Sequence, residues 1–226
     1  RTQAAERISS EAEAVGADGV NVDIEGFRER DADGFTAFVA ELAELVHAWG
    51  GVVSYDLVPR TDTWDVTPED LEFWSTAPQR RELAELVDYT ILMSYDQFNP
   101  YRPAGPVAAP WWVEDTLVYQ LRYSDPHRIM LGVPFYGRVW DPEALDDPRA
   151  LPTHRIENLA ETGTASWDDT HGLDRVNLPD GRFLYLEDWE LIADRLRLVE
   201  EYGLAGRAAW RLGLDSPSLW AAIDAR

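Results

Sequence analysis

Five times along this chain a short β-branched or aromatic run gives way to a helical stripe. That alternation limits the fold more than any single residue, because it builds parallel β/α units. Strands are expected at 19–25, 52–58, 89–95, 128–136 and 205–212. Helices are expected at 3–15, 33–49, 80–87, 111–123 and 186–202, with a short closing helix at 217–223. The second helix shows the reasoning: Phe35, Phe38, Val39, Leu42, Leu45 and Val46 make one apolar stripe, and Gly50-Gly51 ends it. Thr67-Pro68-Glu69-Asp70 reads as another helix start. No dinucleotide fingerprint or phosphate loop is present, which argues against a nucleotide-binding sheet. A β/α barrel, with its catalytic groups at the carboxyl ends of the strands, is the better choice. Residues 138–185 break the rhythm and read as a loop-rich insertion with a hairpin at Pro179-Asp180-Gly181.

The chemistry concentrates at 18–25, Asp-Gly-Val-Asn-Val-Asp-Ile-Glu. A strand has a period of two, so Asn21, Asp23 and Glu25 share one face, and Val20, Val22 and Ile24 the other. Two carboxylates on a buried face are expensive unless paired or functional. The plain alternative is an edge strand whose polar face meets water. Asp23 and Glu25 lie about 6–7 Å apart at strand spacing. That is near the separation of two-carboxylate retaining glycosidases, so spacing alone permits a nucleophile beside an acid. A nearby carboxylate also helps an acid hold its proton near neutral pH.

The same stretch resembles the catalytic motif of glycoside hydrolase family 18, Asp-Gly-x-Asp-x-Asp-x-Glu on the fourth strand of a β/α barrel. Asp18, Gly19, Asp23 and Glu25 match, and Asn21 replaces the middle Asp, as in the spore-germination type of the family. Met93-Ser94-Tyr95-Asp96 resembles the sixth strand, and Leu131-Gly132-Val133-Pro134-Phe135-Tyr136-Gly137-Arg138 the seventh. Gly105-Pro106-Val107-Ala108-Ala109-Pro110-Trp111 and Tyr202-Gly203-Leu204-Ala205-Gly206, running into Ala209-Trp210-Arg211, also resemble the spore-germination type. The blocks span residue 18 to about 220 in the family's order.

The resemblance implies an α/β fold, a (β/α)8 TIM barrel of which strands four to eight are present, with an insertion after strand seven. The chain opens without Met and with helical character, so the first three strands are expected to be missing and the chain to be inactive or weakly active alone. It implies hydrolysis of β-1,4-linked N-acetylglucosamine-containing glycan, peptidoglycan or chitin. In that family the substrate's own 2-acetamido oxygen attacks the anomeric carbon. Glu25 would then be the acid and base, Asp23 would orient the acetamido group, and Tyr95 would hold it. Asp18, Asn21, Asp96, Tyr136 and Trp210 would line the substrate, Trp210 beneath the sugar. Asn21 cannot ionise, which puts the pH optimum in question. A non-catalytic, lectin-like glycan binder is the alternative, and a metal-dependent hydrolase built on Asp18, Asp23 and Glu25 is a third.

Composition narrows the partners. The net charge is −22 and all 20 basic residues are Arg, a balance that repels nucleic acid and anionic membranes. Cysteine is absent, which removes disulfides and thiolate metal sites. His47, His127, His154 and His171 show no ligand spacing, so neither metal nor cofactor is expected. No run approaches a membrane span. A monomer acting outside the cell or in the cell wall on an N-acetylated polysaccharide is expected. Among the ten Trp, Trp64, Trp74, Trp140 and Trp167 fall in loop-like stretches and are candidates to line a glycan groove. Arg138 and Arg211 are candidates to pair with carboxylates of the site or of the surface.

Overall fold

A computed structural model describes residues 1–63, 78–215 and 219–221. Trp64, Trp74 and the helix start expected at Thr67-Pro68-Glu69-Asp70 lie outside the described residues. So does most of the closing helix expected at 217–223, of which 219–221 are described and helical. By its internal contacts the chain divides into two compact units.

The first unit comprises residues 1–93, 117–130 and 203–206. It holds helix α1 (Thr2–Ala14), strand β1 (Gly19–Val22), helix α2 (Ala32–Ala48), strand β2 (Val52–Leu57), helix α3 (Arg80–Leu86) and strand β3 (Tyr89–Leu92). β1, β2 and β3 pair in parallel, in that order. The register sets Asn21 beside Ser54 and Val22 beside Tyr55, then Tyr55 beside Thr90 and Asp56 beside Ile91. Alternation sends Val22, Val53, Tyr55 and Leu57 to one face, where they pack with Ala5, Val39, Leu42, Val46 and Leu83 of the helices. Asn21, Ser54 and Asp56 are left on the other face. A Cβ at position 19 would stand 2.0 Å from the Val52 carbonyl oxygen, so only glycine lets the two strands meet there.

Two side chains tie the far ends of this unit. Asp88 accepts the Val53 N–H at 2.8 Å and pairs with His47 Nε2 at 2.9 Å. Burial pushes its carboxyl up, but these partners prevail and hold it below the usual range. Arg80 is buried and donates to Gln120 Oε1 at 3.0 Å and to the Val58 carbonyl at 2.7 Å. Burial lowers its pKa to about 10.

The second unit comprises residues 94–116, 131–202 and 207–226, described here to 215 and at 219–221. Helix α4 (Pro110–Gln120) and strand β4 (Ile129–Pro134) each have one end in either unit. After them come β5 (Tyr136–Asp141), β6 (Ala144–Pro152), α5 (Thr153–Ala160), β7 (Thr164–Asp168), β8 (Leu173–Asn177), β9 (Phe183–Tyr185), α6 (Trp189–Glu201) and β10 (Gly206–Trp210). The stretch 138–185 is more regular than its composition suggests. It forms most of an antiparallel sheet of order β6-β5-β9-β8-β7, with α5 between two of its strands. β6 hides from a propensity reading because it is an edge strand with Pro148 and three charges, which an edge tolerates. Trp140, expected near a groove, is fully buried and donates from Nε1 to the Gly105 carbonyl at 3.0 Å. The apolar strand partners Leu173, Phe183 and Tyr185 hold it there.

The segment 105–109 is held from outside itself. The carboxylate of Glu187, 1% exposed, accepts the N–H groups of Val107 at 2.9 Å and Ala108 at 3.0 Å. Arg195, 2% exposed, donates to that carboxylate at 2.9 Å and to the Ala108 carbonyl. Gln97 Oε1 takes the Ala109 N–H at 2.8 Å. Removing one partner of a buried pair leaves the other charge unmatched. Glu187→Ala is therefore expected to lower stability by about 3–5 kcal/mol, read as a lower urea midpoint at unchanged slope.

Candidate active site

In the first unit the expected site residues run from just before β1 to just past its carboxyl end. Asp18 precedes the strand with its side chain exposed, and its carbonyl accepts the Val52 N–H at 3.0 Å. Asn21 spends one amide nitrogen on two neighbours in β2, donating to Ser54 Oγ at 2.9 Å and Asp56 Oδ1 at 3.0 Å. The strand was expected to reach residue 25 but ends at Val22. One register step further would set Asp23 opposite Asp56, and like charges disfavour pairing there. Asp23 and Glu25 follow with exposed side chains. Their charges still act on Tyr55, whose phenol is pushed well above its usual range. Burial is the main cause, Arg80 opposes it, and Glu25, Asp56 and Asp23 add to it.

In the second unit a different group forms. Asp96 follows Tyr95 with φ +60°, a left-handed backbone that Asp tolerates better than most residues. The turn brings its carboxylate to the Tyr136 hydroxyl, which donates to Oδ1, and to Arg138 Nη2 at 2.8 Å. Arg138 also donates to the Phe98 carbonyl at 3.0 Å and lies over the Tyr136 ring at 5.4 Å. Tyr136 and Arg138 are buried, while Tyr95 is half-buried. Burial first, and then Asp96, push the Tyr136 phenol far above its usual range. Trp210 is 47% exposed, and its carbonyl accepts the Phe135 N–H at 2.8 Å. Arg211 does not share the role of Arg138; its guanidinium reaches the Leu212 carbonyl.

The family model described as glycosyl hydrolases family 18 matches residues 1–215. The chain belongs to glycoside hydrolase family 18. It is 26% identical over 210 residues to the cortical fragment-lytic enzyme of Bacillus subtilis (strain 168), covering 89% of this chain and 48% of that protein. The chitinase from Chromobacterium violaceum ATCC 12472 superimposes with a TM-score of 0.87 at 25% identity, covering 99% of this chain and 70% of that one. The spore cortex-lytic enzyme SleL of Bacillus megaterium QM B1551 superimposes with a TM-score of 0.81 at 23% identity, covering 97% and 51%. These likenesses give the α/β fold of the chitinase type. The chain spans about half the length of the curated relatives it matches.

Two residues of this family 18 chain stand out that the motif reading did not assign. Asp56 was passed over inside a strand noted for its β-branched residues, although Val53, Tyr55 and Leu57 alternate with Ser54 and Asp56. Arg138 was named only as a possible ion partner, and its partner is Asp96. Among the described residues no group of three or more His, Cys, Asp or Glu could hold a metal ion. No described helix is long and apolar enough to cross a membrane.

The buried, carboxylate-bound phenol of Tyr136 is expected to stay protonated when ordinary tyrosines ionise. The tyrosinate absorbance gained by about pH 11 should be the same in the parent and in Tyr136→Phe.

Proposed function

We propose that this family 18 member cleaves β-1,4-linked N-acetylglucosamine-containing glycan, peptidoglycan or chitin, by retaining, substrate-assisted catalysis. The observation that carries the reading is Glu25, kept two residues beyond Asp23 at the carboxyl end of β1, in a chain that matches the family along 1–215. Names of relatives support the substrate class: one is a cortical fragment-lytic enzyme and another a chitinase.

In the proposed step Glu25 gives its proton to the glycosidic oxygen. The anomeric C–O bond breaks as the carbonyl oxygen of the 2-acetamido group attacks that carbon, giving an oxazolinium ion. Water then attacks the same carbon from the side the leaving group vacated, the bond from that carbon to the acetamido oxygen breaks to restore the acetamide, and the Glu25 carboxylate takes the water's proton. The configuration is retained. Asp23 orients and charge-balances the acetamido group, and Tyr95 donates a hydrogen bond to it. Asp18, Asn21, Asp96, Tyr136 and Trp210 line the sugar subsite, with Trp210 offering its exposed ring as a stacking floor. Asp96 is suited to this because Tyr136 and Arg138 fix its carboxylate.

We assign the parallel strands to units four to eight of an eight-unit barrel and 138–185 to an insertion after the seventh strand. The protein acts as a monomer outside the cell or in the wall, without nucleic acid, metal or other cofactor.

The test uses the full-length protein and the release of reducing ends. Glu25→Gln should lose at least about 100-fold in kcat while still binding the glycan. A glycan stripped of its N-acetyl groups should not be cleaved. A Glu25→Gln variant that hydrolyses normally, or a parent that cleaves both glycans equally, overturns the mechanism. A parent that binds but never cleaves would make this chain a glycan-binding protein instead.

A further inference from the structure

Asn21 leaves the motif one carboxylate short, and the neighbouring strand has one within reach. Asp56 Oδ1 accepts from Asn21 Nδ2 at 3.0 Å. The same nitrogen donates to Ser54 Oγ at 2.9 Å, so both amide protons are committed to β2 and the side chain is fixed. Asp56 sits half-buried on the polar face of the sheet. In register β3 sets the apolar Ile91 beside it. The charge that acts on it is that of Asp23 after β1, and its own charge in turn acts on the Tyr55 phenol.

We propose that Asp56 is a positioning residue that stands in for the carboxylate Asn21 lacks, supplying negative charge to Asp23 from the adjacent strand and locking Asn21. This deepens the function proposed above and rests on Asp23 and Glu25 having the roles given there. Asp56 needs no contact with the sugar; it acts through its two neighbours.

The placement gives the residue a dependence on pH. Burial raises its carboxyl above the usual range, the Asn21 amide opposes this, and the charge of Asp23 adds to it. As the pH falls, Asp56 therefore takes up a proton earlier than an ordinary aspartate. Below that point it is neutral and its charge no longer bears on Asp23. Above it, Asp56 carries its negative charge.

The experiment has an arm that needs no catalysis. Carbon-detected NMR of the side-chain carboxyls follows Asp56 with pH in the full-length protein. Its midpoint should lie above the ordinary aspartate value, fall in Asp23→Asn and rise in Asn21→Ala. An ordinary midpoint, or one indifferent to Asp23→Asn, overturns the proposal. The second arm is kcat against pH. Asp56→Asn should match the parent at acid pH and fall behind by about tenfold near neutrality, with KM unchanged. The exchange Asn21→Asp with Asp56→Asn, which swaps the amide and the carboxylate, should recover most of that loss. A loss equal at every pH, or no recovery in the exchange, makes Asp56 merely structural. If Glu25→Gln stays active, the function reading fails by itself, and the titration of Asp56 still decides whether it and Asp23 are coupled.

Discussion

The contact between Gly19 and Val52 sets the rest of the first unit. Parallel strands have no short turn to fix their register, so it must come from packing and from places where only one residue fits. Here a glycine without a side chain lies against a backbone carbonyl. Slipping by one residue would put any other residue of β1 at that spot and turn Val22 away from the helices. With the register fixed, Asn21 must face Ser54, and Asp56 must come within hydrogen-bond distance of it. The glycine of the Asp-Gly pair thus works before any chemistry does, by deciding which carboxylates become neighbours.

The second unit solves a different problem. A carboxylate in the loop after β3 must be held still. Asp96 is turned by a left-handed backbone and gripped by a phenol and a guanidinium, both buried. Two donors, one neutral and one cationic, thus hold the same carboxylate oxygen from buried positions. Its remaining acceptor capacity faces outward, with the side chain 45% exposed.

Much of this could be read from the sequence, and the parts that could not have physical reasons. The parallel units were legible because β-branched runs and helical stripes differ in period. The start of the acidic stretch was legible as a strand because Val20 and Val22 alternate with Asn21, while its end at Val22, before Asp23 and Glu25, was not. Two things stayed hidden. The antiparallel sheet of 136–185 is built partly from edge strands, where proline and charge are tolerated, so its residues look like loop. Asp56 stayed hidden because its importance is a matter of register. Nothing within Ser-Tyr-Asp-Leu says that Asn21 lies beside it, since 35 positions separate the pair. Trp140 erred the other way: its polar neighbours in sequence suggested a groove, while its neighbours in space are apolar.

The clamp of Glu187 and Arg195 on residues 107–108 also has a temporal side. The two amides wait for an acceptor 79 and 80 positions further along. A growing chain therefore carries this bend without its partners until the small sheet and the first turns of α6 have been made. Closing so wide a loop is slow in entropic terms, and contacts that span it form late. The order of this bend is thus bound to groups far along the chain and not to its own residues.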